Sequence, residues 1–94
     1  MSDAIGIEIP EIVNAQRILA IQPHYDDNDI SVGGTLAALV DGGAEIHYLT
    51  MSDDLMGVID ASWSAEESSA RLRDDQRRAA GIIGVPFQYW LGYP

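Results

Sequence analysis

Between Ile18 and Thr35 the chain passes from an apolar run, ILAI, through PHYDDND into a glycine pair, Gly33–Gly34. One histidine and three aspartates, His24, Asp26, Asp27 and Asp29, fall within six residues. Crowded carboxylates repel one another unless something positive sits among them. A divalent cation is the simplest candidate. The C-terminal end of a strand is also where an α/β fold places its chemistry.

The rest of the chain fits around that stretch. Residues 17–22 read as a buried strand and 23–33 as an acidic loop. GTLAALV, from Gly34, predicts a short helix over 34–41, with Gly42–Gly43 as its stop. EIHYLTM predicts a second strand over 45–51. Residues 52–63 form a long polar loop. Ser64 and Glu67 have capping-box spacing, so a helix is expected over 65–83, ended by Gly84 and Pro86. FQYWL predicts a third strand over 86–91. The amino-terminal IEIPEIV is either a short edge segment or a turn of helix.

A β-α-β-α-β order with helical crossovers implies a parallel sheet with right-handed connections, an α/β, Rossmann-like three-layer fold. Three parallel strands make half of such a sheet, and parallel sheets are covered on both faces. Residues 1–94 are therefore expected to be the N-terminal portion of one larger domain. One sheet edge should be incompletely covered, with Phe87, Tyr89 and Trp90 partly exposed. That edge could pair with a second copy to form a homo-oligomer.

Composition removes several function classes. Fifteen acids against five bases give a net charge of −10, which disfavours nucleic acid and anionic membrane. All five bases are arginines, so neither a Schiff-base lysine nor a P-loop lysine is available. Four of them lie between Arg71 and Arg78, where a solvated helix face is the plain reading. Without cysteine there are no disulfides and no thiolate metal sites. The apolar runs are too short to span a bilayer, and no basic segment precedes an apolar one at the start. A soluble, cytoplasmic protein is expected.

A nucleotide reading fails at the first βα turn. Dinucleotide folds carry glycines there so that backbone N–H groups reach a pyrophosphate. Here the turn carries three aspartates and lacks G-x-G-x-x-G. A metal reading fits better. His24 and Asp27 are an i, i+3 imidazole–carboxylate pair that can face one ion, and Zn²⁺ accepts such ligands. Asp26, beside a ligand, is available to serve as general base.

PHYDDNDISVGGTLAALVDGGAEIHYLTMSDD resembles the signature of the PIG-L/LmbE-like N-deacetylases, a strand followed by P/A-H-P-D-D-E-x-x-x-G-G-T-[LI]-A and a second strand ending in T. RLRDDQRRAAGIIGVPFQYWLGYP is similar to the family's R-x-x-E-x-x-x-A-A-x-x-L-G-V-x-x-x-x-x-L-G-Y-P-D segment. The resemblance implies a zinc-dependent hydrolase that removes acetyl from an N-acetylated small molecule or sugar of the N-acetylglucosaminyl type. It implies His24 and Asp27 as zinc ligands, Asp26 as the base that activates water, and Arg73 as a substrate contact. Gly33–Gly34 would form a tight entry to the first helix, where a side chain would crowd the sheet.

Some positions depart from the pattern. Tyr25 replaces a proline, which makes the loop less rigid. Asn28 replaces a glutamate in the outer shell. Gln76 replaces the acid of R-x-x-E, leaving Arg73 without its usual partner. The family's third ligand is a histidine from a segment beyond Pro94. His47, about 10 Å from the loop at 3.3 Å per residue, reads instead as a core or sheet-face residue. Two ligands are too few for tight zinc, so this chain alone should be inactive. The alternative is a non-catalytic fragment or interaction module of the same fold.

Overall fold

A computed structural model describes residues 11–53, 55 and 62–94 of the chain. Three strands, β1 (Arg17–Gln22), β2 (Glu45–Ser52) and β3 (Phe87–Tyr93), alternate with two helices, α1 (Asp27–Asp41) and α2 (Ala65–Ile83). A short 3₁₀ turn, Ile12–Asn14, precedes β1, while residues 7–10 of the amino-terminal segment lie outside the described residues. Most of the polar loop expected over 52–63 lies outside the described residues.

The sheet is parallel in the order β1-β2-β3. Arg17 pairs with Glu45 and Gln22 with Thr50, while His47 pairs with Phe87 and Thr50 with Trp90. The register between β2 and β3 shifts after Thr50, so that Ser52 faces Tyr93.

Alternation within each strand separates two faces. Ile18, Ala20, Ile46 and Tyr48 point to one side, where they form the core with Leu36, Leu39 and Val40 of α1, Ala80 and Ile83 of α2, and Val85. Strands that step the same way across a sheet by right-handed crossovers put both helices on one face. The other face carries Leu19, Ile21, Met51, Phe87, Tyr89 and Leu91, all exposed. The incompletely covered surface is thus a whole face as well as an edge. Trp90 belongs to the helix side and is half-buried, unlike Phe87 and Tyr89.

Local chemistry explains α2. The Ser64 side chain accepts from the Glu67 N–H at 3.0 Å, which satisfies an orphan donor of the first turn. Glu66 and Glu67 complement the positive end of the helix dipole. Gly84 ends the helix at φ 103°, where an L side chain is strained, and a Cβ there would stand 2.7 Å from Val40 Cγ1. Close packing of the α2 terminus on α1 therefore needs glycine twice over.

Helix α1 differs from expectation. It begins at Asp27 rather than Gly34, so most of the acidic segment is the first turns of the helix and not a loop. The glycine pair lies inside the helix. A Cβ on Gly33 would meet Ile83 Cδ1 at 3.3 Å, whereas one on Gly34 would meet nothing within 4 Å. Gly33 allows approach to α2, not to the sheet. Asp27 and Asp29 in the first turn suit the helix dipole. Asp29 also finds donors at once in β2 and α2.

Candidate functional site

The predicted residues converge where β1 runs into α1. Gln22 ends the strand, Pro23 to Tyr25 turn the chain, and Asp26 caps the helix. The Ser52 N–H donates to the Pro23 carbonyl at 2.9 Å, which ties the turn to the C-terminal end of β2. Tyr25, expected to leave the turn less rigid than the family's proline would, is buried, so its ring anchors the turn.

His24 and Asp27 face each other. The His24 backbone N–H donates to Asp27 Oδ2 at 2.9 Å, and the same oxygen lies 3.6 Å from His24 Nδ1. Both side chains reach solvent. One backbone bond thus fixes a carboxylate beside an imidazole, with the open side outward.

Asp26 stands between them in the left-handed region, at φ 71° and ψ −9°. Among the described residues it is the one non-glycine with positive φ. That conformation costs an L residue about 1–2 kcal/mol, less for aspartate, and persists where surroundings over-determine it. Here its N–H donates to Gln76 Oε1 at 2.8 Å, and its carbonyl accepts from the Ile30 N–H at 2.9 Å.

Beneath the acids lies a buried polar network that sequence reasoning missed. Gln22 Nε2 donates to Thr50 Oγ1 at 2.8 Å and to Gln76 Oε1 at 2.9 Å. Gln22 Oε1 accepts the Asn28 N–H at 2.9 Å. Gln76 Nε2 donates to Asp29 Oδ2 at 2.8 Å, and the Tyr48 hydroxyl donates to Asp29 Oδ1 at 2.8 Å. Burial and the adjacent Asp29 carboxylate push the Tyr48 hydroxyl well above the usual tyrosine range. Gln22, Thr50 and Gln76 are fully buried. Buried polar groups must be paired, and these are paired with each other. The signal available in the sequence was the polar residue at the end of an apolar strand, Gln22.

Asn28 does not line the open side. It is buried, and its Nδ2 donates to the Ala20 carbonyl at 3.1 Å. Gln76 likewise reaches under the turn and not toward Arg73. Arg73 instead lies over the Trp90 ring, 5.1 Å from its centroid, with Arg77 at 4.7 Å from the same ring. Arg73 Nε is buried without a hydrogen-bond partner among the described residues. The remaining arginines of the cluster serve the helix surface: Arg71 bonds Glu67 and covers Trp63, and Arg78 bonds Asp74.

His47 is remote from the acids. It pairs in register with Leu19 and Phe87, on the uncovered face. Its ring stacks on Phe87 at 4.2 Å and bonds Tyr89 and Glu45, each at 2.9 Å. No group of three or more potential ligands, counting His, Cys, Asp and Glu, converges among the described residues. No helix among them is long and apolar enough to cross a membrane.

Comparison with known proteins bears on this arrangement. The diacetylchitobiose deacetylase of Thermococcus kodakarensis is 38% identical over 72 residues, covering 77% of this chain and 27% of that protein. The structure of N,N'-diacetylchitobiose deacetylase from Pyrococcus horikoshii, solved with an inhibitor, superposes with a TM-score of 0.81 at 41% identity. That match covers 85% of this chain and 30% of the other. A conserved protein of Thermus thermophilus superposes with a TM-score of 0.60 at 28% identity, over 85% of this chain and 33% of its own. The chain therefore spans about a third or less of each relative's length. The PIG-L family profile, described as GlcNAc-PI de-N-acetylase, matches residues 19–94, from within β1 to the last residue and including the residues that build the site, and the chain belongs to that family.

Proposed function

We propose that this chain is the N-terminal portion of a metal-dependent N-deacetylase domain acting on an N-acetylated sugar or related small amide. The observation that carries the reading is the pairing of His24 Nδ1 with Asp27 Oδ2 at 3.6 Å beside a left-handed Asp26. Names of the relatives support the substrate class.

The donor set suits Zn²⁺. Two ligands each about 2.1 Å from a tetrahedral ion stand about 3.4 Å apart, close to the separation of this imidazole–carboxylate pair. His24 and Asp27 would hold the ion, and the third protein ligand would come from outside these residues. When bound, such an ion lowers the pKa of water and polarises an amide carbonyl.

The chain's own residues account for the rest. Asp26 accepts a proton from the attacking water as its oxygen bonds to the acetyl carbon. The C–N bond then breaks, the nitrogen takes the proton that Asp26 holds, and acetate and a free amine leave. Arg73, held against the Trp90 ring, would contact substrate oxygen through its guanidinium, as the family pattern implies. Trp90 beneath it restricts where the guanidinium can go.

Bound zinc and acetate release in the full-length protein test the assignment. Asp27→Ala should lose both, because a site with three protein ligands does not readily spare one. Asp26→Asn should keep zinc and lose about 10²- to 10⁴-fold in turnover, the usual worth of a general base. The opposite pattern would reverse the two roles.

A further inference from the structure

Gln76 is buried at 0% exposure, yet it reaches the one strained residue of the site from 50 positions along the chain. Its oxygen accepts from the Asp26 N–H at 2.8 Å and from Gln22 Nε2 at 2.9 Å. Its nitrogen donates to Asp29 Oδ2 at 2.8 Å. The partners dictate which atom points where. A backbone N–H can only donate, so the oxygen must face Asp26. A carboxylate can only accept, so the nitrogen must face Asp29.

Gln22 completes the arrangement. Its oxygen holds the Asn28 N–H at 2.9 Å. The N–H groups on either side of Asp27 are therefore each held by a buried glutamine. Those two bonds set the direction of the backbone that carries Asp26 and Asp27.

We infer that Gln76 is a positioning residue for Asp26, and that it is an amide because Asp29 is an acid. The inference rests on the proposed role of Asp26 as base. A glutamate at position 76 would still accept the Asp26 N–H, but its other oxygen would face Asp29 with no proton between two carboxylates. The repulsion falls on the turn that presents the base. Changing both residues restores the complement. In the double variant Asp29→Asn/Gln76→Glu, the asparagine nitrogen donates to the glutamate, and the asparagine oxygen accepts from the Tyr48 hydroxyl. Position 76 keeps its oxygen on Asp26. Asp29→Asn alone is unmatched, because Tyr48 and Gln76 donate to different oxygens of Asp29 and an asparagine turns its own N–H₂ toward one of those donors.

The test is a double-mutant cycle in the full-length protein, reading kcat, KM, bound zinc and the thermal midpoint. Gln76→Glu should lower kcat about 10- to 100-fold, the usual effect of losing an outer partner of a site. KM should change by less than about twofold, since substrate contacts are untouched. The double variant should recover most of that loss. A purely structural role would lower the thermal midpoint without this split in kcat and KM. If Gln76→Glu does not fold, the double variant should fold and turn over; a double variant that does neither overturns the inference. Hydrogen exchange at the Asp26 amide gives a readout independent of turnover, with Gln76→Met expected to speed it while Asn28 stays protected. Wild-type turnover in Gln76→Glu, or unchanged exchange at Asp26, overturns the inference and leaves the deacetylase reading standing. A wild-type protein without zinc or acetate release overturns that reading, and the positioning role with it.

Discussion

The Tyr48 hydroxyl donates to Asp29 Oδ1 at 2.8 Å, which joins the middle of β2 to the first turn of α1. Tyr48 is fully buried, so the fold favours its protonated form and raises its pKa. A raised tyrosine pKa adds stability that is fully present below the ordinary value of about 10 and is lost as pH rises through the folded value. Denaturant unfolding should therefore show a wild-type stability that falls above about pH 10. Tyr48→Phe should cost about 1–3 kcal/mol at neutral pH, because Asp29 loses a donor, and should show a shallower alkaline decline. Parallel alkaline profiles for the two proteins would detach the decline from Tyr48.

Asp26 should trade stability for chemistry. Glycine adopts φ 71° without strain, so Asp26→Gly removes a local cost while keeping the N–H bond to Gln76. The expected result is a thermal midpoint no lower than wild type together with turnover reduced at least as far as in Asp26→Asn. A large fall in the midpoint would show that the side chain, and not only the backbone, holds the turn.

Two glycines should respond to alanine with opposite signs. Gly34 lies in a helix interior with nothing within 4 Å of a new Cβ, so Gly34→Ala should stabilise by about 0.5–1 kcal/mol. Gly84 sits at φ 103° with Val40 Cγ1 2.7 Å from the new atom. Gly84→Ala should cost at least about 1–2 kcal/mol from the backbone conformation alone. Urea midpoints of the two variants check both signs.

His47→Gln should leave zinc content unchanged in the full-length protein. His47 stacks on Phe87 and bonds Glu45 on the uncovered face, in register with Leu19 and not with the end of β1. Loss of metal in this variant would place His47 in the site after all.

Much of the architecture was legible because its causes are local. The strand Arg17–Gln22 and the helix Ala65–Ile83 follow from an apolar run, a capping box and a terminal glycine, all of which act within a few residues. The spacing of His24, Asp26 and Asp27 placed the candidate site at the end of the first strand for the same reason.

What tertiary structure alone decided has partners far along the chain. Helix α1 starts at Asp27 rather than at the glycine pair, because its cap is held by Gln76 from α2 and its first turn by Tyr48 from β2. Gln76 looked like a missing acid beside Arg73, but it is an amide matched to Asp29 and the Asp26 backbone. Which side of the sheet stays open depended on the handedness of two crossovers taken together. Periodicity and caps record what a residue does with its neighbours in sequence. They carry no record of a hydrogen bond that the fold must first bring within reach.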